Sequence, residues 1–348
     1  MRAWRAVEHG APRDVLRLDE VDEPVPQPGE VQIRVDAVTL NFNDIDGIHG
    51  RYRTVPVPAP YIPGMEVLGT AVAVGTGVDR SLLGTRVVAI PSGAHGGYAE
   101  VAVAPATMTF PMPESVPLPG AAAVLMPFHL AALSLFRRAG VQPGETVLIH
   151  AAAGGVGSAA VQLVRAAGAH VIALAGSAEK ARFCAQELEA DVAVDTSAAD
   201  FVAAALEATG GRGVDVAFDT IGGEITTRTF GCMAFNGRHV LAGFASGIEA
   251  EDEGGLVPRP ILFGNFSLVG VCLAYVDDPI AVKQVAGANF LSRSDAEVLH
   301  AEILELLARG DVRPVVGLDV PFAELPIALD AMERRQTVGR IVVRVRDL

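Results

Sequence analysis

The pattern of apolar and polar positions changes character part-way along the chain. Up to about residue 118, short runs alternate apolar and polar residues between glycines and prolines. Val31-Gln-Ile-Arg-Val-Asp-Ala-Val38 sets an apolar side chain at nearly every second position, as a half-buried strand does. Pro24, Pro26 and Pro28-Gly29 mark a loop before it. Residues 67–74 and 86–90 read as further strands, with Gly75, Gly77 and Gly84 at turns, and another strand follows Gly96-Gly97-Tyr98. Frequent short strands with turn signals predict a small, partly open β-barrel. After residues 117–120 the period changes. A helical stretch over 121–138 leads into strands at 146–150, 170–175, 191–194, 214–219 and 238–243. These alternate with helices at 155–167, 178–189, 198–208 and 224–234. Such alternation predicts a doubly wound parallel sheet. A sixth strand is expected over 266–274, a helix over 293–309 and a closing strand over 336–345 that returns to the first domain. The expected fold class is α/β: a barrel domain of residues 1–118 and 277–348, and a doubly wound domain of residues 119–276.

Within the second pattern one stretch carries chemistry. The apolar run Val147 to Ile149 is short enough for a buried parallel strand. It turns through Ala152-Ala153-Gly154-Gly155-Val156-Gly157 into a helix that Gly168 ends. Strand, glycine turn and helix start are what a dinucleotide diphosphate needs: backbone can approach it, and the helix N-terminus offers N–H donors and partial positive charge. Ala152 stands where the first glycine of G-x-G-x-x-G would be. An ordinary tight turn is the alternative, but strands of fitting length flank the motif on both sides. The second strand ends in Ala175-Gly176-Ser177-Ala-Glu179-Lys180-Ala-Arg182, with no acid to take ribose hydroxyls. Ser177, Lys180 and Arg182 suit a 2′-phosphate, which favours NADPH over NADH. Thr220, and Gly243-Phe244 at the end of a later strand, are further candidate cofactor contacts.

Composition narrows the field. The 348 residues are 50% hydrophobic, enough for two domains with sizeable cores. No uninterrupted apolar run reaches membrane-spanning length and no signal-like segment follows Met1, so a cytoplasmic protein without a membrane partner is expected. A net charge of −14 argues against nucleic acid. Cys184, Cys232 and Cys272 are too dispersed for a disulfide framework or a metal cluster. Residues 248–260 hold an acidic cluster, Glu249, Glu251, Asp252 and Glu253, read as a surface loop. The last strand would leave a bare sheet edge, so a homodimer joined through residues 266–274 is expected.

The chain resembles the medium-chain dehydrogenase/reductase superfamily, in its zinc-free quinone oxidoreductase branch. Carrying the resemblance are Leu40-Asn41-Phe-Asn-Asp44, Gly50-Arg-Tyr52, Pro63-Gly64-Met65-Glu66-Val-Leu-Gly69, Gly96-Gly97-Tyr98-Ala-Glu100, the Ala151–Gly157 turn and Val338-Gly-Arg-Ile-Val342. The resemblance implies a GroES-like barrel domain, a Rossmann nucleotide domain and an active site in the cleft between them. It implies Asn41 near the nicotinamide, and Asp44 and Tyr52 lining the pocket, with Tyr52 a candidate proton donor. Relatives that oxidise alcohols hold zinc with Cys, His and an acid. Here no Cys lies in 41–44, Met65 replaces the His before Glu66, and no metal is expected. The expected reaction is hydride transfer from NADPH to a quinone or an α,β-unsaturated carbonyl compound, a small electrophile. Two rivals stand beside it. One is a 2-enoyl thioester reductase, with Arg51 and Arg53 at the pocket entrance. The other is a non-catalytic NADPH-binding protein of the lens crystallin kind. His49 reads as a loop histidine. Thr196, Ala131 and His129 occupy positions where relatives often carry other cofactor contacts.

Overall fold

The computed structural model describes residues 1–53, 55–248 and 255–346. The chain forms two compact units: residues 1–126, 274–302 and 314–348, and residues 127–273 and 303–313. The division departs from the expected boundaries at 119 and 277. The helical stretch that begins near Gly120 belongs to the first unit until Met126, and residues 303–313 join the second. The acidic cluster at 249–253 lies outside the described residues.

The first unit is built on the ten-residue strand Glu30–Thr39, whose alternation of apolar and polar positions is the clearest in the sequence. It pairs antiparallel with Val67–Val74 along most of its length, with Val101–Pro105 at one end, and with the C-terminal strand Arg340–Arg344 at the other. One strand meeting three partners is how a curled sheet begins to close. Register shifts at 32/33 and 35/37 bend it. Gly69 sits opposite the second shift, where a Cβ would stand 2.1 Å from the Arg34 carbonyl oxygen. Val31, Ile33, Val35, Ile45, Ile341 and Leu329 meet in the barrel core. The result is the expected partly open β-barrel.

The second unit holds a six-stranded parallel sheet in the spatial order 192–195, 170–175, 146–149, 214–219, 233–241, 267–270. Numbered within this unit that order is 3-2-1-4-5-6, a doubly wound sheet whose switch point lies beside Thr146–Ile149. Leu148, Leu174, Phe201 and Phe218 are fully buried or nearly so, and helices flank the strands.

Several boundaries moved for local reasons. The expected helix 224–234 ends at Thr229, and the next strand starts early, at Met233, not at 238. Asn236 at φ +61, followed by Gly237, makes a bulge that lets residues 233–235 join the sheet. The expected strand 266–274 is only Ser267–Gly270. Its apolar run continues through Leu273, but only Val271 N–H still bonds the neighbouring strand, at the Leu241 carbonyl, 3.3 Å away, and the pairing ends there. The stretch Gly120–Arg138 is, against expectation, apolar and long enough to cross a membrane by composition, yet 83% of it is buried inside the protein. It is also irregular: a 3₁₀ turn at Gly120–Ala123, an α-helix at Leu125–Ala132 and a π turn at Leu133–Arg138.

The tightest constraint in the second unit is at Gly157. A Cβ there would lie 2.2 Å from the Ala151 carbonyl oxygen and 2.7 Å from Ala152 Cα, both backbone atoms that cannot rotate away. Gly157→Ala is expected to force helix and strand apart, lowering stability by about 1–3 kcal/mol and weakening dinucleotide binding. Thermal unfolding together with calorimetric titration of NADPH checks both.

Candidate functional site

Each unit contributes its own set of side chains. In the second, Ala151 turns the chain with φ +49, and Gly154 N–H closes the turn onto the Ala151 carbonyl at 2.9 Å. The helix Gly155–Ala166 starts immediately. The N–H groups of Gly155, Val156 and Gly157 belong to its first turn, where an α-helix offers no carbonyl partners. Such a start attracts anions. Ala153 is buried behind it. Ser177 caps the helix Ala178–Gln186 by accepting from Lys180 N–H at 3.3 Å, just past the end of the strand His170–Ala175. Ser177 and Lys180 therefore share one helix end. Arg182 does not join them: two residues after Lys180, it is turned about 200° around the helix, and it is exposed. Thr196 is occupied locally, its hydroxyl and N–H both donating to the Ala175 carbonyl. His129 and Ala131 are fully buried on the helix Leu125–Ala132.

Thr220, Gly243 and Phe244 meet through two paired loops at the C-terminal ends of adjacent strands. Ala245 N–H donates to the Thr220 carbonyl at 3.1 Å, and Ser246 N–H to that of Ile221 at 2.8 Å. A residue that sequence reasoning passed over holds the first loop in place. Asp219, fully buried, accepts from Ile221 N–H at 2.8 Å, Gly222 N–H at 3.0 Å, the Thr226 hydroxyl at 2.5 Å and His239 Nε2 at 3.2 Å. Burial alone would raise its pKa, but these donors and the nearby His150 outweigh that and hold it well below the usual carboxylate range. His150, which bonds Thr229, is pushed down to about 4 by burial. The available signal was a lone acid closing an apolar strand just before Gly222-Gly223.

In the barrel unit, the helix Phe42–His49 presents the Asn41-to-Asp44 motif. Asp44 accepts from Asn41 N–H at 2.9 Å and the Tyr98 hydroxyl at 2.8 Å. Burial raises its pKa to about 6, and these bonds keep the rise from being larger. Tyr98 is driven well above 10 by burial and by the Asp44 charge. Asn41 Oδ1 accepts from Arg340 Nη1 at 2.8 Å. Arg340 in turn pairs with Glu66 and bonds the Thr39 hydroxyl, while the other Glu66 oxygen accepts from Met126 N–H at 2.8 Å. Glu66 is wholly buried and Arg340 nearly so.

A cavity of about 200 Å³ opens beside this network. Asp44 and Tyr52 line it, as expected; Asn41 does not, being turned toward Arg340. Asn43, Tyr61 and His95 also line it, and sequence reasoning missed all three. Asn43 Nδ2 donates to the Tyr52 hydroxyl at 2.7 Å. His49 stays out of the cavity, with Nε2 2.8 Å from Glu333. Arg51 bonds Asp46 and Glu333, both at 3.0 Å.

Zinc does not fit these residues. Met65 offers only a thioether, Asn41 is an amide, and Glu66 is neutralised by a guanidinium.

Residues 27–114 match the alcohol dehydrogenase GroES-like domain family, and residues 155–286 the zinc-binding dehydrogenase family. Quinone oxidoreductase of Rattus norvegicus is 32% identical over 323 residues, spanning 92% of this chain and 91% of that protein. The chain belongs to the quinone oxidoreductase-like branch of the medium-chain dehydrogenase/reductases. The human synaptic vesicle membrane protein VAT-1 homolog is 30% identical over 326 residues, covering 92% of this chain and 80% of the relative. Among solved structures, Escherichia coli quinone oxidoreductase complexed with NADPH superposes with a TM-score of 0.84 at 27% identity, over 99% of this chain and all of the other. As a member of this branch the chain is an oxidoreductase, and among the described residues no group of three or more His, Cys, Asp or Glu is placed to hold the zinc of one family description.

Breaking the buried pair from one side tests how the barrel site is held. Arg340→Met leaves Glu66 without its counter-charge and is expected to cost about 3–5 kcal/mol. The double variant Arg340→Met/Glu66→Gln should regain much of that, because Gln can still accept from Met126 N–H. Urea unfolding of the three proteins measures it.

Proposed function

We propose that this chain is an NADPH-dependent, zinc-independent reductase of quinones or α,β-unsaturated carbonyl compounds. The observation that carries this reading is the engagement of Glu66. The acid that a zinc set would use is buried against Arg340, and its sequence neighbour is Met65. With no Lewis acid to polarise an alcohol, the barrel suits an acceptor already activated by conjugation. The cavity agrees in character: apolar Val55, Val57 and Met65 line it together with the uncharged polar side chains of Asn43 and Tyr52.

In the same reading, the first-turn N–H groups of residues 155–157 hold the diphosphate. Ser177 and Lys180 take the 2′-phosphate, and the loops carrying Thr220, Gly243 and Phe244 hold the remainder. Asn41 is assigned to the nicotinamide end, its amide fixed by Arg340. The bound dinucleotide would supply a hydride; the protein supplies orientation and electrostatics. The NADPH complex of the E. coli relative supports this cofactor. The thioester alternative needs free positive charge at the pocket entrance; Arg51 is tied to Asp46 and Glu333, and Arg53 is not without a partner either.

The reading also includes a homodimer. The strand Ser267–Gly270 is paired on one side only among the described residues. In the same unit, Phe235, Leu262 and Phe263 are 72%, 70% and 73% exposed. A second copy added edge to edge would satisfy the backbone and cover these side chains. Sedimentation at micromolar concentration should give a dimer that Leu268→Pro converts to monomer; a wild type that sediments as monomer would reject it.

NADPH oxidation against 1,4-naphthoquinone, 2-cyclohexen-1-one and crotonyl-CoA tests the activity. The quinone or the enone should be turned over at least ~tenfold faster than the thioester, and NADPH preferred to NADH by a similar factor, worth about 1.4 kcal/mol. A preference for NADH, or alcohol oxidation abolished by a chelator, would reverse the assignment.

A further inference from the structure

His95 is the one cavity-lining histidine, and the chemistry described so far leaves it idle. It stands on the loop between the strands Arg86–Ala89 and Val101–Pro105. Its ring packs edge-to-face on Tyr61, centroids 6.0 Å apart at 74°. It is also laid over Gly93, where a Cβ would come within 2.9 Å of Nε2. Gly93 has φ +70 and lines the cavity too, so one glycine provides both the turn and the room for the imidazole edge. Neither ring nitrogen has a hydrogen-bond partner in the protein among the described residues. Burial lowers the imidazole pKa below its ordinary 6.5.

Asp44, Asn43 and Tyr52 already have partners, and Tyr61 is a phenol that parts with a proton reluctantly. Asp44 already accepts from Asn41 and Tyr98. Tyr61 is made a poorer acid by burial and by the Asp44 charge. Asn43 donates to Tyr52. An acceptor carbonyl entering this space therefore meets an unengaged N–H on His95.

We propose that His95 binds the carbonyl oxygen of the substrate and delivers the proton that neutralises it. The inference rests on the reductase reading above. When a hydride and its electron pair reach the carbon β to the carbonyl, the C=C electrons shift and negative charge gathers on the oxygen. The imidazolium Nε2–H bond breaks as the new O–H bond forms. The enol passes to the ketone by proton exchange with solvent, and one proton taken up from bulk solvent restores the imidazolium. Where His95 is neutral its N–H still donates a hydrogen bond, so activity falls to a plateau and not to zero as pH rises through its titration. Asp44 faces the same cavity and titrates at about 6, so the pH profile alone is ambiguous and a variant must separate the two. Tyr52 and Tyr61, the other titratable groups there, are phenols.

Two variants and one spectroscopic readout test this. His95→Phe keeps the ring against Tyr61 but removes the donor; kcat with 2-cyclohexen-1-one should fall at least ~tenfold, with KM for NADPH unchanged. His95→Gln keeps a donor that cannot titrate; it should hold the plateau rate within about threefold and lose the acid-side rise. If the rise persists in His95→Gln it belongs to Asp44, and the proton-delivery role fails. If His95→Phe matches wild type, the histidine only fills space. With NADP+ bound, which cannot reduce the enone, the His95 ring-proton NMR signal should move when 2-cyclohexen-1-one is added. A signal that moves in a chain without turnover overturns the reductase reading while keeping the contact. Turnover with an unmoved signal overturns the contact alone. Should His95→Phe not fold, the His95→Gln profile and the NMR titration still decide.

Discussion

The buried pairing of Glu66 with Arg340 is the interaction on which the barrel unit depends. Arg340 opens the C-terminal strand, Thr39 ends the longest strand, Glu66 precedes the next, and Met126 begins a helix. Side chains or backbone of all four meet at one carboxylate. Burying two charges is costly unless each is fully hydrogen-bonded. Here both Glu66 oxygens are used and the guanidinium also reaches Asn41 and Thr39, but the buried Arg340 Nε has no partner among the described residues. The pair is therefore best understood as an anchor that fixes where segments distant in sequence sit, not as a gain in stability. It also turns Asn41 to a fixed orientation and removes the acid that would hold zinc.

The second unit is held by a different constraint, the contact of backbone against backbone at Gly157. The close approach brings the helix start beneath the strand end, which creates the anion site. Around it, Asp219 does for the adjacent loop what Glu66 does for the barrel. A buried acid gathers N–H and O–H donors from one short loop and from His239, and so sets the position of Thr220. Both units thus use a buried carboxylate, with hydrogen bonds to both oxygens in the barrel and several donors on Asp219, to hold backbone from separate elements in place.

The cavity joins these themes to selectivity. Its acidic member, Asp44, is held by the Tyr98 hydroxyl and the Asn41 backbone N–H, and Arg51, one residue before the lining Tyr52, is paired with acids. The Gly93 turn seats the His95 ring against Tyr61 at the wall of this space.

Periodicity and turn chemistry were enough to read the doubly wound sheet, the barrel, the helix Arg293–Arg309 and the phosphate turn from the sequence. Each is a local regularity: alternation, helical spacing, or a glycine that only a tight βα turn requires. The separation of Lys180 from Arg182 was legible too, since helical geometry alone puts them on different faces. What needed the tertiary structure were the features whose cause lies elsewhere in the chain. The run after Gly270 is as apolar as the strand before it, yet its partner strand ends at Leu241, which takes one last bond from Val271 N–H, and the pairing goes no further. Asn41 faces Arg340, 299 residues away, and not the cavity. His95 matters only beside Tyr61 and Gly93. Hydrogen bonds and close packing between distant segments leave no period in a sequence, so the elements were written in the chain, and the aim of their side chains was decided by the fold.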